Sequence, residues 1–145
     1  MPNGDAPEYI DRNPKANVLQ IVGATEGLRY LAAQTPPIAH GDLKGANVLV
    51  TSDERACICD FGLSRFIVNL KTAEVTCFGT ARWMAPEQLS ADTMIVSLSA
   101  DIFSWGMLAL ELMTETLPWS TQVQNDCSAI AKVLNGTRPN RPNHH

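Results

Sequence analysis

The spacing of apolar residues in the first part of the chain predicts helices before any strand. A short helix is expected near Glu8–Arg12, inside a segment otherwise interrupted by prolines. From Ala16 to Gln34, leucine, valine and alanine side chains recur at helical spacing, which predicts a helix of about five turns. The run Thr35-Pro36-Pro37 ends this helix, because proline lacks the backbone N–H that a helix interior needs.

The middle of the chain alternates between short apolar runs and polar loops. Ile38-Ala39 predicts a short strand, and the polar loop His40–Asn47 follows it. Val48–Val50 and Ala56–Cys59 are two apolar runs joined by the polar segment Thr51–Arg55. Two such runs separated by a short polar connection predict a small β-hairpin.

The second half of the chain is predicted to be helical after a long exposed loop over residues 63–82. A helix is expected from Pro86 to about Leu89, and another over Cys127–Leu134. The segment Asp101–Met113 is apolar on nearly every side, which is typical of a helix that is buried all round. It is predicted to form the central helix of the domain. The predicted fold class is therefore mainly α (α+β), with a buried central helix and a small hairpin.

Composition narrows the class of protein. The 145 residues include 45% hydrophobic and 18% charged residues, which are values of one globular domain. The net charge is −4 and the basic residues are scattered, which argues against a nucleic-acid or anionic-membrane partner. The first fourteen residues lack an apolar run, so no secretory signal is expected, and no run of eighteen apolar residues predicts a membrane span. The four cysteines show no zinc spacing. A cytoplasmic protein with reduced thiols is expected.

Four polar residues around the predicted hairpin carry candidate chemistry. Asp42, Lys44 and Asn47 share the loop before the first hairpin strand, and Asp60 follows the second. A carboxylate, an ammonium and hard oxygen ligands are the groups needed to orient a hydroxyl, neutralise a phosphoryl group and hold magnesium. A lone Asp42 would be interpreted as a turn residue, and the presence of Lys44 and Asn47 in the same loop changes that interpretation.

The ordered motifs of the chain resemble those of protein kinases. The resemblance covers about Ala16 to Trp119 and is closest to tyrosine-kinase-like Ser/Thr kinases. It rests on a catalytic-loop motif, a DFG motif, a substrate-facing loop, the motif that closes the activation segment and the start of the central helix. These are His40-Gly41-Asp42-Leu43-Lys44-Gly45-Ala46-Asn47, Asp60-Phe61-Gly62, Gly79-Thr80-Ala81-Arg82-Trp83-Met84, Ala85-Pro86-Glu87, and Asp101 with Ser104, Trp105 and Gly106.

The resemblance implies a role for each matching residue. Asp42 is the implied catalytic base, Lys44 the phosphate contact, and Thr80 the bridge between them. Asn47 and Asp60 are the implied Mg²⁺ ligands, and both also belong to the implied ATP site.

Four further residues have implied structural or binding roles. Leu49 is the implied floor under adenine, and His40 and Phe61 are expected to stack in a hydrophobic spine. Asp101 is expected to hydrogen-bond the catalytic-loop backbone, and an N-cap role for the same residue stays open.

The chain also departs from the family pattern. Gly41 stands where many kinases carry an arginine that holds a phosphorylated activation segment, so Thr72 and Thr76 are weaker regulatory candidates. No G-x-G-x-x-G precedes residue 40, and Lys15, the only lysine there, is not on a predicted strand. Residues 1–145 are therefore expected to be a partial kinase domain, the large lobe only, without the small lobe and the final helices.

Two functions of different classes remain open on the sequence. The first is a Ser/Thr protein kinase that uses ATP and Mg²⁺ on a protein substrate. The second is a kinase-derived fragment without catalysis that acts as a binding or regulatory module. Apolar surface left exposed on a partial domain would also favour self-association.

Overall fold

The computed structural model describes residues 2–14, 16, 23–61, 65–66, 80–90 and 95–142. Within them lie five α-helices, four short strands and one 3₁₀ turn. In chain order these are α1 (Ala6–Arg12), α2 (Ala24–Ala32), β1 (Ile38–Ala39), the 3₁₀ turn (Gly45–Asn47), β2 (Val48–Val50), β3 (Ala56–Ile58), β4 (Arg65–Phe66), α3 (Pro86–Ser90), α4 (Leu98–Thr114) and α5 (Asp126–Leu134).

The strands form two antiparallel pairs, so the predicted hairpin is confirmed. In the β2–β3 hairpin Val48 lies opposite Ile58 and Val50 opposite Ala56. The amide of Thr51 donates to the carbonyl of Arg55 (2.9 Å) and closes its loop. Strand β1 pairs with β4, which lies inside the segment that was predicted to be a loop.

Three helices begin at a residue whose side chain caps them. Asp5 accepts a hydrogen bond from the amide of Glu8 at the start of α1, and Asn125 caps α5 in the same way. Ser97 caps α4, so the alternative N-cap role of Asp101 is wrong. A short polar side chain at this position satisfies one of the amides that the first helical turn leaves unpaired.

The helix that was predicted from Ala16 to Gln34 is shorter in the structure, as far as its residues are described. Ala16 is not helical, α2 covers Ala24–Ala32, and residues 17–22 lie outside the described residues. The predicted short helix α1 and the predicted helices at Pro86 and Cys127 are confirmed to within two residues at each end. No described helix is long and apolar enough to span a membrane.

The core lies where α1, the hairpin and α4 meet. Its buried side chains are Ala6, Tyr9, Ile10, Ala24, Leu43, Val48, Val50, Leu108 and Leu112. A second cluster beneath α5 contains Trp119, Ala129 and Val133. The hairpin and the loop before it are therefore held on one side of α4, which fixes the position of the polar loop residues.

Helix α4 is not buried all round as the apolar pattern predicted. Ile102 is 71% exposed and Met113 is 63% exposed. At about 100° per residue, both lie on the side of α4 opposite Leu108, which packs into the core. Apolar composition alone could not show which side of the helix the loop His40–Asn47 would cover.

Candidate active site

The loop His40–Asn47 connects β1 to the hairpin. It carries the polar side chains of Asp42, Lys44 and Asn47 at one end of the hairpin. The loop finishes in the 3₁₀ turn, in which the amide of Asn47 donates to the carbonyl of Lys44 (3.0 Å). Directly after β3, the amide of Cys59 donates to the carbonyl of Asn47 (2.9 Å). Because the hairpin is antiparallel, Asn47 before β2 and Asp60 after β3 lie at the same end.

The carboxylate of Asp42 is held on one oxygen only. Asn47 donates its side-chain NH₂ to Oδ2 of Asp42 (2.9 Å) and to the backbone carbonyl of Asp42 (2.7 Å). The ammonium of Lys44 lies 3.1 Å from the same Oδ2. The other oxygen, Oδ1, is buried and has no hydrogen-bond partner among the described residues. The side chain is thus fixed in orientation while one acceptor is left over.

The Lys44 ammonium links this loop to the segment that begins at Thr80. Its Nζ donates to the hydroxyl of Thr80 (2.8 Å) in addition to its ion pair with Asp42. Thr80 was predicted to bridge Asp42 and Lys44. In the structure it is the lysine that bridges Asp42 and Thr80, because only its long side chain spans both loops. Arg82, two residues beyond Thr80 in the predicted exposed loop, is buried instead.

Asp101, on α4, hydrogen-bonds the backbone at the start of the loop His40–Asn47, as predicted. Its Oδ2 accepts the amide of His40 (2.7 Å), and its Oδ1 accepts the amide of Gly41 (2.8 Å). Burial raises the pKa of Asp101, while the two backbone donors act in the opposite direction. Gly41 has a φ of 85°, a left-handed conformation that costs a glycine little.

The second loop of the site begins at Asp60, whose φ is 60°. The ring of the next residue, Phe61, contacts His40 at a centroid distance of 5.4 Å. The predicted contact between the two rings is present, but it is an edge contact with an interplanar angle of 61° and not a parallel stack. His40 also contacts the carbonyl of Cys59 through Nε2 (3.0 Å). These contacts join the two loops that carry Asp42 and Asp60. Gly62 lies outside the described residues.

Two contacts of this network were not predicted from the sequence, those of Glu111 and Ser104. Glu111, on α4, accepts the amide of Gly45 and the indole N–H of Trp83 on the same oxygen, each at 2.9 Å. Ser104, one of the residues used for the resemblance, donates its hydroxyl to the carbonyl of Trp83 (2.8 Å). A glutamate inside an apolar helix was the available signal, since a buried charge requires hydrogen-bond partners.

Comparison with known proteins agrees with this geometry. The family model described as "Protein kinase domain" matches residues 8–144. The chain belongs to the protein kinase domain family. Serine/threonine-protein kinase CTR1 of Arabidopsis thaliana is 35% identical over 142 residues, covering 87% of this chain and 17% of that protein. Serine/threonine-protein kinase TNNI3K of Mus musculus is 36% identical over 107 residues, covering 73% of this chain and 13% of that protein.

A third relative, the probable serine/threonine-protein kinase SIS8 of Arabidopsis thaliana, is 33% identical over 124 residues, covering 82% of this chain and 12% of that protein. The chain therefore spans less than a fifth of the length of these three relatives. The predicted resemblance to protein kinases is confirmed, and these relatives carry the names of Ser/Thr kinases.

Within this protein kinase domain, four of the sequence-predicted residues are joined by direct contacts, namely Asp42, Lys44, Asn47 and Thr80. Asp60 and Leu49 share the hairpin with them, Leu49 on β2 and Asp60 just after β3. The regulatory candidates Thr72 and Thr76 lie outside the described residues, as does Cys77. The other cysteines, Cys57, Cys59 and Cys127, are free thiols.

Proposed function

We propose that this kinase domain supplies the catalytic-loop side of an ATP-dependent protein Ser/Thr phosphotransferase. The observation that carries the proposal is the Asp42 carboxylate. Lys44 and Asn47 hold its Oδ2, whereas its buried Oδ1 has no partner among the described residues. A fixed carboxylate with one open acceptor is suited to receive the proton of a hydroxyl nucleophile.

In the proposed reaction, the hydroxyl oxygen of a substrate Ser or Thr forms a bond to the γ-phosphorus of ATP. The bond from that phosphorus to the β,γ-bridging oxygen breaks, and ADP leaves. Asp42 takes the hydroxyl proton on Oδ1, late in the transfer. Lys44 places positive charge beside Asp42, where it also stabilises the charge on the transferring phosphoryl group.

The donor chemistry of the site fits magnesium. Asn47 uses its NH₂ group on Asp42, which leaves its amide oxygen as a possible ligand. Asp60 contributes a carboxylate at the same end of the hairpin. The described residues contain no cluster of three or more His, Cys, Asp or Glu that could hold a metal by itself. Magnesium is commonly held by one or two protein oxygens together with substrate phosphates, and when bound it would neutralise phosphate charge.

We further propose that residues 1–145 form the large lobe of the kinase, with Leu49 beneath the adenine. The support is the position of β2 and β3, which carry Leu49 and lead into both site loops, and the anchoring of the first loop on α4. Because these residues offer one side of a nucleotide site, the 145-residue chain should bind Mg-ATP only weakly.

Titration with Mg-ATP, followed by amide chemical shifts at millimolar nucleotide, tests the proposal. Saturable shifts are expected at Asn47, Leu49 and Asp60, with no micromolar heat signal by calorimetry. Asp60→Ala should abolish the shifts, whereas the control Asp53→Asn, on the exposed hairpin loop, should leave them unchanged. Shifts confined to other surfaces would overturn the assigned site. Micromolar binding that Asp60→Ala abolishes would overturn the large-lobe proposal.

The alternative, a non-catalytic binding module, is favoured by one observation. Ile102, Met113 and Leu117 are each more than half exposed, and all three lie on or just after α4. Such side chains favour association with a second copy or another protein. Sedimentation of the wild type against the double variant Ile102→Ser/Met113→Ser separates the cases. A concentration-dependent mass that the double variant loses would support association, and a monomer at all concentrations would contradict it.

A further inference from the structure

Helix α4 carries a buried polar stripe within an otherwise apolar sequence. Asp101, Ser104 and Glu111 are all buried, and the core residue Leu108 lies between them on the same side. At about 100° per residue, these four positions fall within about 80° of one another around the helix. The stripe therefore faces both the catalytic-loop segment and the segment that contains Trp83.

Glu111 differs from the other two residues because it contacts both segments through one atom. Its Oε2 accepts the amide of Gly45 (2.9 Å), which is the first residue of the 3₁₀ turn. The same oxygen accepts the indole N–H of Trp83 (2.9 Å), and the side chain is only 7% exposed. A single acceptor shared by two donors sets the distance between the groups that donate to it.

The packing around Gly45 leaves little freedom for this arrangement to shift. A Cβ atom added at Gly45 would lie 2.6 Å from Cγ of Pro7 and 2.7 Å from Oε1 of Glu111. The carboxylate therefore touches the backbone of the turn directly. Lys44 precedes Gly45 and Asn47 ends the turn, so the orientation of the turn sets the orientation of both side chains toward Asp42.

We infer that Glu111 is a positioning residue, which aligns the turn bearing Lys44 and Asn47 with the segment bearing Thr80 by accepting the Gly45 amide and the Trp83 indole on one oxygen. The relevance of this alignment to catalysis rests on the proposed function, in which Lys44 contacts both Asp42 and Thr80. The alignment itself is a property of the fold. It can be measured without nucleotide and without activity.

Residue-resolved hydrogen exchange on the 145-residue chain tests the inference. Glu111→Leu should speed exchange of the Gly45 and Asn47 amides and of the Trp83 indole by about ten- to a hundredfold, since a buried bond to a charged acceptor is lost. The Ala129 amide of α5, which donates to Asn125, reports general unfolding and should change by less than about threefold.

Conservative variants separate positioning from bulk stability. Glu111→Gln keeps a carbonyl oxygen that can accept both donors, so it should restore near-wild-type protection at Gly45. Glu115→Gln, at the exposed C-terminal end of the same helix, should change nothing. Equal acceleration at Gly45 and Ala129 in Glu111→Leu would overturn the inference, and so would a Gln variant that behaves like the Leu variant.

A milder substitution decides the question if Glu111→Leu does not fold. Trp83→Phe removes the indole donor together with part of a buried ring, and it leaves the Glu111 carboxylate in place. The Gly45 amide should therefore stay protected while exchange of the Met84 amide rises about tenfold. Met84 donates to the carbonyl of Ala81 in the segment that Glu111 aligns. Unchanged Met84 exchange would contradict the inference. A nucleotide titration that failed would refute the proposed function and leave this result intact.

Discussion

Replacing Asp101 by Asn should destabilise the domain far more than the loss of one charge suggests. In the wild type, one carboxylate oxygen accepts the amide of His40 and the other accepts the amide of Gly41. Asparagine keeps one acceptor and turns the other into an NH₂ group that faces a backbone N–H. Two donors then meet in a site where the side chain is 4% exposed.

The magnitude follows from the bonds that change. A hydrogen bond to a charged group contributes about 1.5–3 kcal/mol, and a buried unsatisfied donor costs about 1–3 kcal/mol. Removing a buried charge offsets part of this loss of stability, because burial disfavours the charged carboxylate and raises the pKa of Asp101. The net loss should be about 2–4 kcal/mol. With a urea m-value of about 2 kcal/mol per molar, the midpoint should fall by about 1–2 M.

Urea unfolding followed by tryptophan fluorescence measures this loss. Asp11→Asn, an exposed aspartate on α1, is the matched control and should stay within about 0.5 kcal/mol of the wild type. A loss for Asp101→Asn no larger than for this control would refute the reasoning that Asp101 anchors the loop. A loss of stability without disturbed exchange at the His40 and Gly41 amides would refute it as well.

Three further predictions follow from contacts in the same region. Gly45→Ala should lower the unfolding free energy by about 1–3 kcal/mol in urea titrations, because its Cβ would meet Pro7 and Glu111; an unchanged midpoint would contradict the close approach. Arg82→Leu should leave Asp126 without the partner that lies 2.6 Å away, and a double-mutant cycle with Asp126→Asn should show coupling above about 0.5 kcal/mol rather than additivity. Burial raises the pKa of Glu111 above its ordinary 4.5, so its contribution to stability is fully present below that value and is lost as pH rises through the folded-state pKa. Urea midpoints of the wild type relative to Glu111→Gln should therefore increase as pH falls from 7 toward 5, and a falling difference would show the opposite sign.

Local patterns predicted those parts of the fold that depend on short-range effects. The hairpin at Val48 and a helix end before Pro36 follow from apolar runs and prolines; the structure contains the hairpin, and the helix ends at Ala32, two residues before the predicted Gln34. The anchor at Asp101 came from the family resemblance, and its two hydrogen bonds bear it out. The hairpin and the helix end need little knowledge of distant neighbours, whereas the contacts of Asp101 with His40 and Gly41 join distant parts of the chain and followed only from the resemblance.

Features that depend on tertiary contacts escaped prediction. The sequence predicted Arg82 to lie in an exposed loop. Its guanidinium is buried instead and donates hydrogen bonds to the Asp126 carboxylate and to the carbonyl of Pro118. Glu111 is separated in sequence from the Gly45 and Trp83 donors that it accepts, so no local pattern indicates the contact. The exposure of Ile102 depends likewise on which side of α4 the loops occupy.

The polar stripe of α4 makes the length of this helix a constraint in itself. One residue inserted between Ser104 and Glu111 would turn Glu111 by about 100° and move it by about 1.5 Å along the axis, away from Gly45 and Trp83. The Thr51–Arg55 connection of the hairpin is exposed over most of its length and can lengthen at little cost. Insertions and deletions among homologous chains should therefore accumulate at the hairpin tip and be excluded from the nine residues between Asp101 and Glu111.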